Sequence, residues 1–146
     1  MQDPLNLAVY HRAMDLAERV YGLARRIPAR QFPGVTSQLQ RSAWSIPSNI
    51  AEGAGQSSRA VFARHLAIAI GSGFELETHL RLAARIAKRE REVEGVIEEV
   101  RAVRRMLHRL REYQIGGRGH REIRERSDGE READEVPLPA SGPSAS

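Results

Sequence analysis

Gln38 to Gly55, QLQRSAWSIPSNIAEGAG, reads as an amphipathic helix as far as Pro47. Leu39, Ala43, Ile46 and Ile50 recur at spacings of three and four, the signature of a helix with one buried face. Pro47, Asn49 and Glu52 then fall where a plain bundle helix would carry Leu or Ile. Pro47 removes one backbone hydrogen bond and predicts a kink. Thr36 or Ser37 is the expected cap, and Gly53 and Gly55 the expected stop.

The same rhythm extends on both sides. Val9, Ala13, Leu16, Ala17, Val20, Leu23 and Ile27 predict a first helix over about Leu5–Ile27, opened by Asp3-Pro4 and closed by Pro28. Residues 28–35, PARQFPGV, form a connection. After a cap at Ser57 or Ser58, a third helix buries Phe62, Leu66, Ala69, Ile70, Gly73, Leu76, Leu80, Ala83 and Ile86 or Ala87. Gly71, Ser72 and Gly73 weaken it in isolation, which makes sense if another backbone approaches there. A turn near Lys88–Glu92 precedes a fourth helix on Val93, Val96, Ile97, Val100, Val103, Leu107 and Leu110. The rhythm ends at Tyr113. Residues 114–146, rich in Gly, Arg, Glu, Pro and Ser, are expected to be a disordered polar tail. The expected fold is all-α, an up-down-up-down four-helix bundle over residues 1–113.

Composition narrows the function classes. Cysteine is absent, which removes disulfides, thiolate metal sites and cysteine nucleophiles. No signal peptide or membrane span is read, so the expected location is the cytoplasm. Residues 1–113 carry 18 cationic and 12 acidic side chains, so the basic excess sits in the part expected to fold. The residues three before His11, His65, His79, His108 and His120 are Ala8, Phe62, Leu76, Arg105 and Gly117. The Glu-x-x-His pair of a di-metal bundle is therefore missing. Glu75 and His79 stand at i and i+4, a weak metal pair at best. Neither a phosphate-cradling glycine loop nor a serine-triad motif is present. No catalytic residue, metal or cofactor is expected.

Two groups of residues remain. Asn49 and Glu52, with Gly71, Gly73, Glu75 and Glu77 on the next helix, form either a polar pocket or a buried network fixing register or subunit contact. The network is favoured, because desolvated polar groups must be paired. On the fourth helix Arg101, Arg104, Arg105, His108 and Arg109 form one stripe with no interleaved acid. Arg12 and Arg19 on the first helix and Arg85 on the third add to it. Such a stripe is either an ordinary solvated face or a phosphate-binding surface. The aromatics are scattered, without the pattern of a single-strand-binding platform. Trp44 is expected at an interface or against the third helix.

SNIAEG, followed by FARHLAIAIGSGFELETHLRLA, resembles the bacterial four-helix-bundle family named for proteins encoded within intervening sequences of 23S ribosomal RNA genes. The likeness covers about residues 6–113. It implies a small helical protomer assembling into a ring, typically a homopentamer. Distant relatives of that family include the accessory variability determinant of diversity-generating retroelements, a basic pentamer that binds reverse transcriptase and nucleic acid. The resulting expectation is a non-enzymatic homo-oligomer that binds RNA or DNA backbone, with a protein-interaction scaffold as the alternative.

Overall fold

A computed structural model of the chain describes residues 1–28 and 33–133, with side chains described outside the terminal stretch that begins at residue 117. Four helices carry the fold: α1 (Ala8–Ala24), α2 (Val35–Ala54), α3 (Arg59–Ala87) and α4 (Glu90–Ala133). They form an all-α, four-helix fold in which short links make sequential helices neighbours. Met1–Ile115 is one compact unit and Gly116–Ser146 another.

The apolar stripes meet as their spacing predicts. Leu39, Leu66, Leu76, Leu80, Val100, Val103 and Leu107 are fully buried, as are Ala13 and Val20 of α1. Ile86 is exposed instead, and Ala84 takes its place in the core. The reason is angular: Leu80, Ala83 and Ala84 continue one face, and Ile86 falls a quarter turn off it.

Helix ends depart from expectation in six places. The first helix does not start at Leu5: Pro4–Asn6 is a separate 3₁₀ turn capped by the Asp3 carboxylate, and Leu7 is extended before α1 begins. It also ends at Ala24, and Arg26 and Ile27 close short turns onto the Leu23 and Ala24 carbonyls. Neither Thr36 nor Ser37 caps α2. Gly34 does so from the left-handed region, at φ 86°, and the Ser37 hydroxyl donates back to the Gly34 carbonyl. Only glycine takes that conformation without strain. Residues 29–32 of the connection 28–35 lie outside the described residues. Ser58 caps α3 as expected, accepting from the Val61 N–H.

Gly53 is not the stop of α2. The helix runs through it to Ala54, with Pro47 buried inside, and Gly55, the other glycine expected there, is the C-cap. Gly53 is instead where α3 comes closest: a Cβ there would lie 2.7 Å from both the His65 Cβ and the Phe62 ring. The α3–α4 turn is shorter than Lys88–Glu92. Lys88 alone adopts a left-handed conformation and α4 starts at Glu90, with Glu90 and Glu92 in its first turn. These acids favour a helix N-terminus.

The backbone of α4 continues past Tyr113 to Ala133. Arg and Glu are strong helix formers, so a helix can persist there without an apolar stripe. Residues 134–146 of the expected tail lie outside the described residues. Gln114, the first residue of that tail in the sequence reading, is buried at 6% exposure in the first unit.

Candidate functional site

The residues singled out from sequence separate into two constellations. The first joins α2 to α3. The Asn49 amide donates to the Ser45 carbonyl (2.8 Å) and hydroxyl (3.2 Å). Ser45 and Ser72 hydroxyls are 2.7 Å apart, and Ser72 donates to the Ile68 carbonyl. With its one proton so used, Ser72 must accept from Ser45. The His65 Nδ1 closes the chain at 3.3 Å from Asn49 Oδ1. Glu52 is mostly exposed and 3.9 Å from the same nitrogen, a weak surface pairing.

Every proton in this chain runs toward a backbone carbonyl, a hydroxyl or an amide oxygen. Neither serine has a base to activate it, because the hydrogen bonds put His65 on Asn49 and not on a hydroxyl. The arrangement fixes how α2 lies on α3, which is chemistry of packing. Ser45, His65 and Ser72 were not legible as members. Their signal is heptad spacing: 45, 49 and 52 on α2 and 65, 72 on α3 place polar side chains along one edge of each helix.

The second constellation joins α3 to α4 around Glu77. Its side chain is 13% exposed and meets three guanidinium groups: Arg104 at 2.7 Å, Arg81 at 2.8 Å and Arg101 at 3.0 Å. Arg104 is equally buried, and its guanidinium lies 3.9 Å from the centre of the Phe74 ring, a cation–π contact. Its stem covers Gly73, where a Cβ would fall 2.7 Å from Arg104 Cγ. The close approach expected at Gly71–Gly73 is therefore made by a side chain, not a backbone. Gly71 has nothing within 4 Å of its missing Cβ.

Burial alone would raise the Glu77 pKa. Hydrogen bonds from Arg81 and Arg101, with the charges of Arg101 and Arg104, outweigh it and hold the carboxyl below its ordinary value of 4.5. The hydrogen bond to Glu77 correspondingly raises the Arg101 pKa above its usual range.

This corrects the reading of the α4 stripe as one continuous basic surface. Its acid comes from a neighbouring helix. Glu77 pairs with Arg101 and Arg104, and Glu98 takes a second contact from Arg101 at 3.1 Å. Arg12 pairs with Glu99 at 3.4 Å. Arg105, His108 and Arg109 remain exposed, and among the described residues no carboxylate pairs with the two arginines. Arg85 is also exposed, and Arg19 lies against Gly95 of α4. Glu75 is exposed and makes no hydrogen bond or ion pair among the described residues.

Trp44 faces a groove shared with α1. It is half exposed and lines that groove with Met14, Asp15, Glu18 and Pro47. Along its outer face α3 exposes Val61, Ile68, Leu82 and Ile86, and Phe74 is exposed on the side toward α4. Among the described residues no cluster of three His, Cys, Asp or Glu could hold a metal, and no helix is long and apolar enough to cross a membrane.

The family described as 23S rRNA-intervening sequence protein matches residues 5–109. A crystal structure of a protein of unknown function from the S23 ribosomal protein family of Bacteroides thetaiotaomicron is similar over 68% of this chain and 94% of that one. The two share 27% identity and superpose with a TM-score of 0.62. No curated protein matches the chain.

Proposed function

Because the chain belongs to the 23S rRNA-intervening sequence protein family, we propose that it acts as a non-enzymatic oligomeric scaffold that binds nucleic-acid backbone through arginines on its bundle surface. The observation that carries this reading is the exposed set on α4, Arg105, His108 and Arg109, without acidic partners among the described residues, whereas Arg101 and Arg104 pair with Glu77. Arg19 and Arg85 extend the cationic surface to α1 and α3. Arginine suits phosphate because its planar donors match two oxygens at once.

Assembly is supported by a different feature. Five large apolar side chains stand exposed along one helix, α3, and Trp44 stands exposed on α2. A ring of copies, a homopentamer as the resemblance suggests, would cover such side chains and repeat the α4 arginines around its circumference. Repetition matters because several phosphates neutralised together give strong, salt-dependent binding without sequence preference. A reverse transcriptase or another nucleic-acid enzyme is the class of partner such a scaffold would serve.

The test is a double reversal, Arg105→Glu with Arg109→Glu. It is expected to weaken binding to single-stranded RNA and to reduce the salt slope by about 1.4, roughly 0.7 per lost phosphate contact on a single strand. The melting temperature and particle mass should not change, since neither side chain is buried. RNA affinity equal to that of the unaltered protein would overturn the assignment. Capture of an acidic protein partner by the same face, with no RNA binding at low salt, would replace it with the protein-scaffold reading.

A further inference from the structure

One end of the bundle holds a cleft of about 240 Å³ that neither constellation uses. It forms where the α2–α3 link and the chain's first residues pass the Tyr113–Gln114 turn of α4 within the first unit, and its polar lining is Gln2, Gln56, Ser57, Ser58, Arg59 and Gln114. The rings of Phe62 and Tyr113 supply the apolar part, and no carboxylate is present in the lining.

Three sources of hydrogen-bond donors converge there. The first is the start of α3. Ser58 satisfies the Val61 N–H with its side chain and the Phe62 N–H with its carbonyl, so the Arg59 and Ala60 N–H groups are the orphans of the first turn. The second is Arg59 itself, which gives one of its donors to the Tyr113 carbonyl at 2.5 Å and lies 5.1 Å from the centre of the Tyr113 ring. That contact fixes the guanidinium and leaves its other N–H groups for a ligand. The third is independent of the helix start. Gln114 is 6% exposed, lines the cleft, and has no side-chain hydrogen bond among the described residues. Its amide is therefore free to pair with a ligand in the cleft.

We propose that this cleft binds a phosphate group, held by the first turn of α3, the Arg59 guanidinium and the Gln114 amide. Donors with one fixed positive charge and no opposing acid suit a compact anion, and phosphate accepts from several donors at once. The nucleic-acid form of the inference rests on the backbone-binding reading above: the group bound is then the terminal phosphate of a strand. Arg105 and Arg109 would track internal phosphates, and the cleft would recognise an end. Free phosphate or a mononucleotide presents the same chemistry.

The experiment compares the full chain with short single-stranded RNA carrying either a 5′-phosphate or a 5′-hydroxyl, and separately with inorganic phosphate. The 5′-phosphate is expected to raise affinity by about tenfold, as a charge-assisted contact does. Ser57→Glu, at an exposed position of the link, should abolish that advantage while leaving the salt-dependent binding of the hydroxyl strand. Arg59→Gln should do the same, with melting curves to show that the loss of its Tyr113 contact has not unfolded the bundle. Saturable binding of inorganic phosphate that is lost in Ser57→Glu, without any RNA binding, would support the cleft with free phosphate as its source and would sink only the backbone reading. Equal affinity for the two strands, together with no phosphate binding, would overturn the cleft proposal, even if RNA still bound in a salt-dependent way.

Discussion

Replacing Glu77 with glutamine is expected to destabilise the bundle by about 3 kcal/mol, the range found when one partner of a buried ion pair is removed. Its carboxylate serves three arginines, and they are not equivalent. Arg81 and Arg101 are roughly half exposed and can turn to water when the acid is gone. Arg104 is 12% exposed, lies over Phe74 and covers Gly73, so its charge has nowhere to go. Its Nε and one terminal nitrogen already lack hydrogen-bond partners, and the contact to Glu77 is its principal compensation.

The same substitution changes the response to acid. Glu77 has a folded-state pKa below its ordinary 4.5. Its contribution is therefore fully present above that value and is lost as the pH falls through the lower, folded-state value. Glu77→Gln should remove this part of the acid destabilisation, so the variant's melting temperature falls less steeply below pH 4.5 than that of the parent. Identical melting temperatures and identical acid profiles would show that the carboxylate does not hold Arg104 in place.

Gly73→Leu should have the second-largest effect, a loss of about 2–3 kcal/mol, as for overpacking in a tight interior. The first added carbon would lie 2.7 Å from Arg104 Cγ and 3.0 Å from its Cδ. Arg104 cannot yield without giving up both Glu77 and the Phe74 ring. Both substitutions thus act through one side chain, and the double variant should lose less than the sum of the two. Gly71 is the control. Two residues away and with open space around its Cα, Gly71→Ala should gain about 0.5–1 kcal/mol from helix propensity in an isolated protomer. A loss there instead, accompanied by a fall in particle mass, would place a second copy over Gly71.

Much of this architecture was legible because burial follows the helical period. Val9 to Leu23, Leu39 to Ile50 and Val93 to Leu107 line the core as their spacing requires. Helix ends were less legible, since Gly34 and Lys88 rely on left-handed backbone that competes with ordinary capping residues nearby. That Arg101 and Arg104 of the arginine stripe pair with an acid was not legible, for a definite reason. Spacing along α4 shows which side chains share a face but not what the neighbouring helix presents to it. The relevant hint lay on α3, where Gly73, Phe74 and Glu77 offer a gap, a ring and a carboxylate to one long cation. Gly53 was misread in a similar way. A glycine near a helix end suggests a stop, yet here it is the packing of His65 and Phe62 that requires a missing side chain.

Separating structural from available arginines also changes how binding should be probed. Reversing Arg104 would unfold the α3–α4 contact and mimic a loss of function, whereas Arg105 and Arg109 can be altered without touching the core. A basic residue count along a helix thus overstates the cationic surface when a neighbouring helix contributes acid.

The most direct test is the dependence of binding on salt, measured for single-stranded RNA and duplex DNA with a particle whose mass has been fixed by light scattering. Micromolar or tighter binding by an oligomer, weakening linearly in the logarithm of salt with a slope of several contacts and little preference for sequence, is the expected result. No binding to either nucleic acid at low salt would contradict the scaffold reading and give the arginine face of α4 to a protein partner.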